Sequence, residues 1–439
     1  MHTIYGGDKM LIRYSFKNFR SFHDKAEISM KATSQTTLNE NIIRINGERL
    51  LPSTVIYGAN ASGKSNIIMS IKIFKKIIIC GSLLYKDIDL DDLELCPFIH
   101  DGETNPISFE IEFINKNKHC IYKLEIEVEK CRRGNRTILN EEFYIKSCKK
   151  YHLIYKRNKS HIDISTDRFA LKQMETEAKF INDITEKLSR NMDASVPFLT
   201  SGFKNIISND LANCVISFFS EKLITIDNFT ITTSSVQLKS NQTIEKNFTV
   251  WNQTLDGFVK GADFGPQQMI FKSDVDDNDE HTANMQLFSV YNFNDQNIFI
   301  PAQLMESSGT LKLIDFALLF QSFFPKGCTF FMDEFDASLH PEIVKGIISL
   351  FHDSDFNTEG SQLIFTTHNP IYLNNKIFRR DQIAFVEKDR INFQSSVYTL
   401  ADFGSTDVRN DENYLINYFK GKYSSLPYID FSSLFKGDD

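Results

Sequence analysis

The octapeptide Gly58-Ala-Asn-Ala-Ser-Gly-Lys-Ser65 lies between the apolar run Ser53–Tyr57 and a second apolar stretch, Ile67 to Ile79. It fits G-x-x-x-x-G-K-[ST] at every defined position. The context matters as much as the match. Glycines let backbone N–H groups turn inward around phosphate oxygens, and a helix N-terminus adds favourable positive potential. The spacing therefore predicts a buried strand at 53–57, a helix over 67–79 and an α/β chain built around both. Lys64 can reach terminal phosphates and Ser65 can offer its hydroxyl to Mg²⁺. Gly58, Asn60, Gly63 and Asn66 join them as expected nucleotide contacts.

A second constellation comes late in the chain. Phe330-Phe-Met-Asp333-Glu334 reads as an apolar strand ending in two carboxylates, followed at once by Asp336-Ala-Ser-Leu-His-Pro341. Beside a phosphate loop, the first acid holds Mg²⁺ and the next polarises an attacking water. Gln362–Thr366 reads as another short buried strand, and His368 follows it. Upstream, Glu306-Ser-Ser-Gly-Thr310 opens a helix whose first N–H groups have no partners within the helix, a ready anion site. One nucleotide rarely uses two helix-start sites of a single head, so this second site is expected to grip the nucleotide of another copy.

The remaining sequence sets limits. With 439 residues, 41% hydrophobic and 24% charged, the chain is long enough for two to three domains of ordinary globular composition. Its 39 phenylalanines supply large cores without a cofactor to explain them. A net charge of −8 argues against an overall nucleic-acid coat, though not against a local basic groove. No run reaches the roughly 18 apolar residues of a membrane span, and the N-terminus lacks an apolar signal core, so a cytoplasmic location is expected. The seven scattered cysteines form no CxxC pair and read as reduced thiols. Residues 1–9 read as an extension or a mis-assigned start.

Period-two alternation marks 11–22 as an opening strand and Phe109–Phe113 with Tyr122–Val128 as a hairpin. Between about 165 and 225 the period becomes helical, first through Leu171, Met174, Ala178, Ile181, Leu188 and Met192, then through Phe203 to Phe219. This predicts a packed helical subdomain rather than a coiled coil. Asn241–Lys246 and Asp274–His281 read as surface loops. The expected division is an N-terminal lobe at 10–128, an α-rich insertion at 129–290 and a C-terminal lobe at 291–439.

In the order phosphate loop, Ser-Ser-Gly, Asp-Glu, Asp-Ala-Ser-Leu-His-Pro and His368, the chain resembles ABC ATPases of the RecF, SMC and OLD group. Phe16-Lys-Asn-Phe-Arg-Ser-Phe22 is similar to that group's first strand. The resemblance implies an ABC-type ATPase head with a mixed sheet and a P-loop core, interrupted by a largely helical insertion. It further implies that Lys64, Ser65 and Asp333 bind Mg-ATP, that Glu334 is the catalytic base and that His368 senses the γ-phosphate. Ser307, Ser308 and Gly309 would form a signature loop acting across a homodimer or larger homo-oligomer; Ser308 stands where the usual signature has glycine.

Gly257–Gly265, Arg379–Gln382, Val386–Asp389, Asp407–Arg409 and Tyr418–Tyr423 are similar to RloA and AbiLi-like abortive-infection ATPases. That narrower likeness implies phage defence beside a separately encoded effector, often a TOPRIM-type nuclease. The competing reading is a RecF- or SMC-like repair ATPase that binds DNA directly. The chain itself is expected to lack a nuclease: Asp402, Asp407 and Asp411 show no D-x-D spacing after an apolar strand. Arg132, Arg133, Arg379 and Arg380 are expected mostly as solvated charges, with a phosphate or partner role as the alternative.

Overall fold

In the computed structural model the described residues are 4–5, 9–84, 95–98, 105–128, 136–227, 235–239, 249–251, 257, 266–275, 282–404, 407–424 and 426. They divide into two compact units: residues 1–227, 327–335 and 350–439, and residues 228–326 with 336–349.

The first unit holds the phosphate loop. Its central sheet has six strands: β12 (Leu223–Ile226), β18 (Thr329–Met332), β19 (Gln362–Thr366), β6 (Ser53–Gly58), β20 (Ile383–Lys388) and β21 (Ser395–Thr399), in that spatial order. The first five run parallel and only β21 is antiparallel. Central parallel strands are covered on both faces, so β6, β18 and β19 are buried at every position. That is why they read as unbroken apolar runs. β6 passes through the loop into helix α1 (Lys64–Cys80), which buries Ile67, Ile71, Phe74 and Ile78 at helical spacing.

Against α1 lies a seven-stranded antiparallel sheet, ordered β11 (His161–Ile164), β10 (Lys150–Asn158), β9 (Arg136–Ser147), β8 (Lys118–Val128), β7 (Ile107–Asn115), β2 (Met10–Lys17) and β3 (Ala26–Ser29). Its inward residues alternate with charged ones. Phe109, Ile111, Tyr122 and Leu124 are buried, while Glu110 and Lys123 pair on the other face. Phe74 is the hub: its ring stacks on Phe109 at 5.1 Å and meets Phe219 edge-on at 5.0 Å. The two sheets are also joined by the buried Gln362 amide, which donates to the Leu11 and Leu51 carbonyls and accepts from the Leu11 N–H. A smaller sheet pairs β1 (Ile4–Tyr5) parallel with β4 (Ile43–Ile45), itself antiparallel to β5 (Glu48–Leu50), so Ile4 and Tyr5 form a paired strand.

The middle of the chain differs from expectation. Helices occupy only part of 129–290: α2 (Arg168–Met174), α3 (Ala178–Arg190) and α4 (Asn209–Ser217), the last flanked by π-turns at Phe203–Ile207 and Phe218–Lys222. Before them, β9 pairs along the length of β8, so the antiparallel sheet runs on past residue 128. After them, β12 enters the central sheet. Hairpin pairing between neighbours in sequence carried the sheet forward, and the exposed polar alternation of β9 and β10 hid it. The helical run breaks at Glu175, whose left-handed backbone (φ 55°) ends α2, so the first set is two short helices.

The second unit is a sheet of β13 (Ser235–Lys239), β16 (Thr282–Phe293), β15 (Gln268–Val275) and β14 (Thr249–Trp251), with β17 (Gln296–Pro301) also paired to β16. Met269, Phe271, Met285 and Leu287 pack on Leu311, Ile314 and Ala317 of helix α5 (Ser308–Phe323). Here Asp274 and Val275 end a strand rather than open a loop; 276–281, Asn241–Lys246, 258–265, Arg132 and Arg133 lie outside the described residues. No helix among the described residues is long and apolar enough to cross a membrane.

Arg379 and Arg380 are buried, not solvated. Arg379 grips the Asp381 carboxylate with two contacts of 2.9 Å and donates to the Thr37 carbonyl at 2.6 Å. Asp381 in turn accepts from the Thr33 N–H and hydroxyl. Arg380 donates to the Leu400 carbonyl. These contacts leave neither arginine for phosphate or a partner. Removing one member of a buried ion pair strands the other. Arg379→Ala is therefore expected to destabilise the chain by about 3 kcal/mol; an unchanged denaturant midpoint would refute the structural role.

Candidate functional site

The carboxyl ends of β6, β19 and β18 lie side by side, and in open α/β sheets ligands bind at that edge. All three motifs of this unit meet there. The turn after β6 is tight at two glycines. Gly63 has φ 113°, a conformation that side chains disfavour, and a Cβ on Gly58 would stand 2.5 Å from the Val386 carbonyl oxygen. Lys64, almost fully buried, donates to the carbonyls of Gly58 (2.8 Å) and Ala59 (2.9 Å), drawing the loop around its ammonium. Burial pushes its pKa down to about 8, opposed by the nearby Asp333 and Glu334 carboxylates. The Ser62 hydroxyl is buried within the loop without a hydrogen-bond partner among the described residues. A buried cation and an unspent hydroxyl suit an anionic oxygen ligand.

At the end of β18, Asp333 is buried and Glu334 is more exposed. Thr366, closing β19, links them through one hydroxyl: it donates to Asp333 Oδ1 (2.5 Å) and accepts from the Glu334 N–H (2.8 Å). Glu334 takes a left-handed backbone (φ 44°), a strained choice for a non-glycine residue. Its carboxylate faces the His368 Nε2 at 3.6 Å. Asp333 and the Ser65 hydroxyl are hard oxygen donors of the kind Mg²⁺ takes.

In the second unit, Ser307 caps α5, its hydroxyl accepting from the Thr310 N–H at 3.1 Å. Ser308 and Gly309 form the first turn. The Asp336–Pro341 segment lies against it: a Cβ on Gly309 would come within 2.3 Å of the Ser338 carbonyl oxygen, and Lys312 donates to the Ala337 carbonyl. Two motifs separate in sequence thus form one surface.

The P-loop between a buried parallel strand and a helix, with paired carboxylates on a nearby strand of the same sheet, defines a P-loop ATPase domain of the AAA type. Residues 53–374 match the family described as "AAA domain, putative AbiEii toxin, Type IV TA system". The match spans well over half of the chain, and the chain belongs to this family. Among solved structures it is similar to an SMC head bound to the C-winged helix domain of ScpA (15% identity, 89% of this chain and 97% of that one, TM-score 0.40). It is likewise similar to an SMC head domain from Thermotoga maritima (15%, 89% and 98%, TM-score 0.36). A third is an Smc head with an extended coiled coil bound to the C-terminal domain of ScpA, derived from Pyrococcus furiosus (13%, 89% and 96%, TM-score 0.39). No curated protein matches the chain in sequence.

The structure brings Gly58, Gly63, Lys64, Ser65, Asp333, Glu334 and His368 to one sheet edge. Asn60 is on the exposed outer turn of the loop. The Asn66 side chain turns to protein, donating to Ser21 Oγ at 2.9 Å. Thr366 escaped sequence reading because a threonine ending a buried strand looks like a β-former; the only signal was the doubled Thr366-Thr367 after an apolar run.

Lys64 is charged below about pH 8 and neutral above it. A bound polyphosphate favours the ammonium and raises that pKa. ATP affinity should thus weaken as pH climbs through 8, and binding at pH 8.5 should take up protons. Titration calorimetry in buffers of differing ionisation enthalpy measures this; Lys64→Ala should abolish binding. Proton-neutral binding at pH 8.5 would show that Lys64 does not face the phosphates.

Proposed function

We propose that the chain binds and hydrolyses Mg-ATP between two copies of itself, and serves as the sensor or scaffold subunit of a bacterial anti-phage system that controls a separate effector, a TOPRIM-type nuclease. The observation that carries the ATPase reading is the shared Thr366 hydroxyl, which fixes Asp333 and Glu334 in different tasks at the end of β18. Asp333, held on one oxygen, keeps the other for a cation with Ser65. Mg²⁺, when bound, neutralises charge on the phosphate oxygens. Lys64 stabilises the terminal phosphates. Glu334, beside His368, takes the proton of a water whose oxygen bonds to the γ-phosphorus as the bond to the β,γ-bridging oxygen breaks. His368 is placed to hold Glu334 toward that water.

The sandwich reading is supported by Ser307–Gly309, whose capped helix start is a phosphate site of its own. The defence reading is supported by the family's toxin–antitoxin description and by the likeness to abortive-infection ATPases. Glu334→Gln should keep ATP binding yet slow turnover by on the order of a hundredfold. Ser308→Arg should also bind ATP but not hydrolyse it, because a bulky cation blocks the partner's γ-phosphate. Wild-type turnover in the first would make another residue the base; in the second it would remove the sandwich. For the effector, cultures should resist phage only with both an intact phosphate loop in this chain and a separately encoded nuclease. Protection by this gene alone would sink that half of the reading.

A further inference from the structure

Three segments distant in sequence converge behind the phosphate loop: the turn after β2, the loop itself and the first residue of β21. Ser395 is 2% exposed. Its N–H donates to the Ser21 carbonyl at 2.7 Å, so the start of β21 is clasped to that turn by its backbone. Its hydroxyl lies 2.6 Å from the Ser62 carbonyl oxygen and 2.8 Å from Ser21 Oγ. Ser21 Oγ is also 2.9 Å from Asn66 Nδ2, and Asn66 Oδ1 is approached by Arg20 Nη1 at 3.4 Å.

Proton counting orders this chain. A carbonyl oxygen only accepts, an amide NH₂ only donates, and each hydroxyl has one proton. Ser395 must donate to Ser62, so it must accept from Ser21; Ser21, its proton spent, must accept from Asn66. The direction runs from Arg20 through Asn66, Ser21 and Ser395 to the loop backbone, with each hydroxyl proton used once. Such one-way chains polarise and stiffen their members.

We infer that Ser395 and Ser21 are positioning residues for nucleotide binding: they hold the Ser62 carbonyl outward and thereby aim the Gly63 N–H at the phosphate. In a trans peptide the C=O and the next N–H point in opposite directions. Pinning the Ser62 oxygen to Ser395 therefore turns the Gly63 N–H to the other side, away from Ser395. Gly63 packs closely on both hydroxyls because it has no side chain: a Cβ there would stand 2.7 Å from Ser395 Oγ and 2.8 Å from Ser21 Oγ. Without the latch the peptide can rotate, and the amide must be reordered at each binding event. Preorganisation of this kind acts on affinity more than on the chemical step.

The inference rests on the reading of this loop as an ATP site, and the experiment separates the two. ATP affinity is measured by titration calorimetry, KM and kcat by steady-state turnover, and folding by thermal unfolding without nucleotide, for wild type, Ser395→Ala, Ser21→Ala, the double variant and Ser395→Thr. Ser395→Ala should raise Kd and KM about tenfold with kcat within twofold of wild type. Ser395→Thr, which keeps the hydroxyl, should recover most of the loss. Ser21→Ala should weaken binding, and the double variant should be no worse than Ser395→Ala, since one break already interrupts the chain. A Kd for Ser395→Ala within twofold of wild type, singles that multiply in the double variant, or a loss confined to kcat would each overturn the latch while leaving the ATP site standing. Should Ser395→Ala unfold, the affinity of Ser21→Ala decides alone. Wild-type protein that binds no ATP would sink the ATP reading and this inference with it.

Discussion

The parallel register of β18, β19 and β6 is the constraint on which the site depends. Phe331 lies opposite Ile364, and Ile364 opposite Thr54, so the three strands finish at one edge. Because they are parallel, each delivers its next residues to that edge: the phosphate loop, Thr366 to His368, and Asp333 with Glu334. A single threonine hydroxyl then joins the middle strand to the acidic pair. The reach of a 2.5–2.8 Å hydrogen bond converts strand order into chemistry, and an antiparallel neighbour would carry these residues to opposite ends.

The surrounding unit steadies that edge with buried polar side chains that are hydrogen-bonded to distant segments. Gln362 ties the two sheets from inside β19, four residues before Thr366. Glu141 is fully buried yet accepts from the hydroxyls of Tyr122 and Tyr155 and from the N–H groups of Phe198 and Leu199, fixing the turn where the antiparallel sheet meets its helices. His352, between Ser53 and Gln382, is kept neutral by burial, which takes its pKa down to about 4. Such groups cost stability when unpaired and confer a unique geometry when paired.

Much of this was legible in the residues. β6, α1, β18, β19 and the helix beginning at Ser308 follow from apolar runs and their punctuation, since a strand buried on both faces must be apolar throughout. The middle of the chain was not legible. β9 and β10 carry charges at many outward positions, because one face of an antiparallel sheet is free to meet water, so their pattern is weak. Arg379 and Arg380 looked like solvated charges because sequence shows a charge but not the carboxylate and carbonyls that surround it.

The sequence by itself determined the phosphate loop, the acidic pair, the Ser-Ser-Gly helix start and the α/β character of the core, because each is local: a few adjacent residues whose backbone freedom and polarity admit one arrangement. Tertiary structure alone decided what these parts touch. It set Thr366 between Asp333 and Glu334, joined the Asn66 side chain to Ser21, seated Asp336–Pro341 on Gly309 and brought Ser395 beneath Ser62, more than three hundred residues away in the chain. Contacts of that span depend on strand order and packing, which no local pattern encodes.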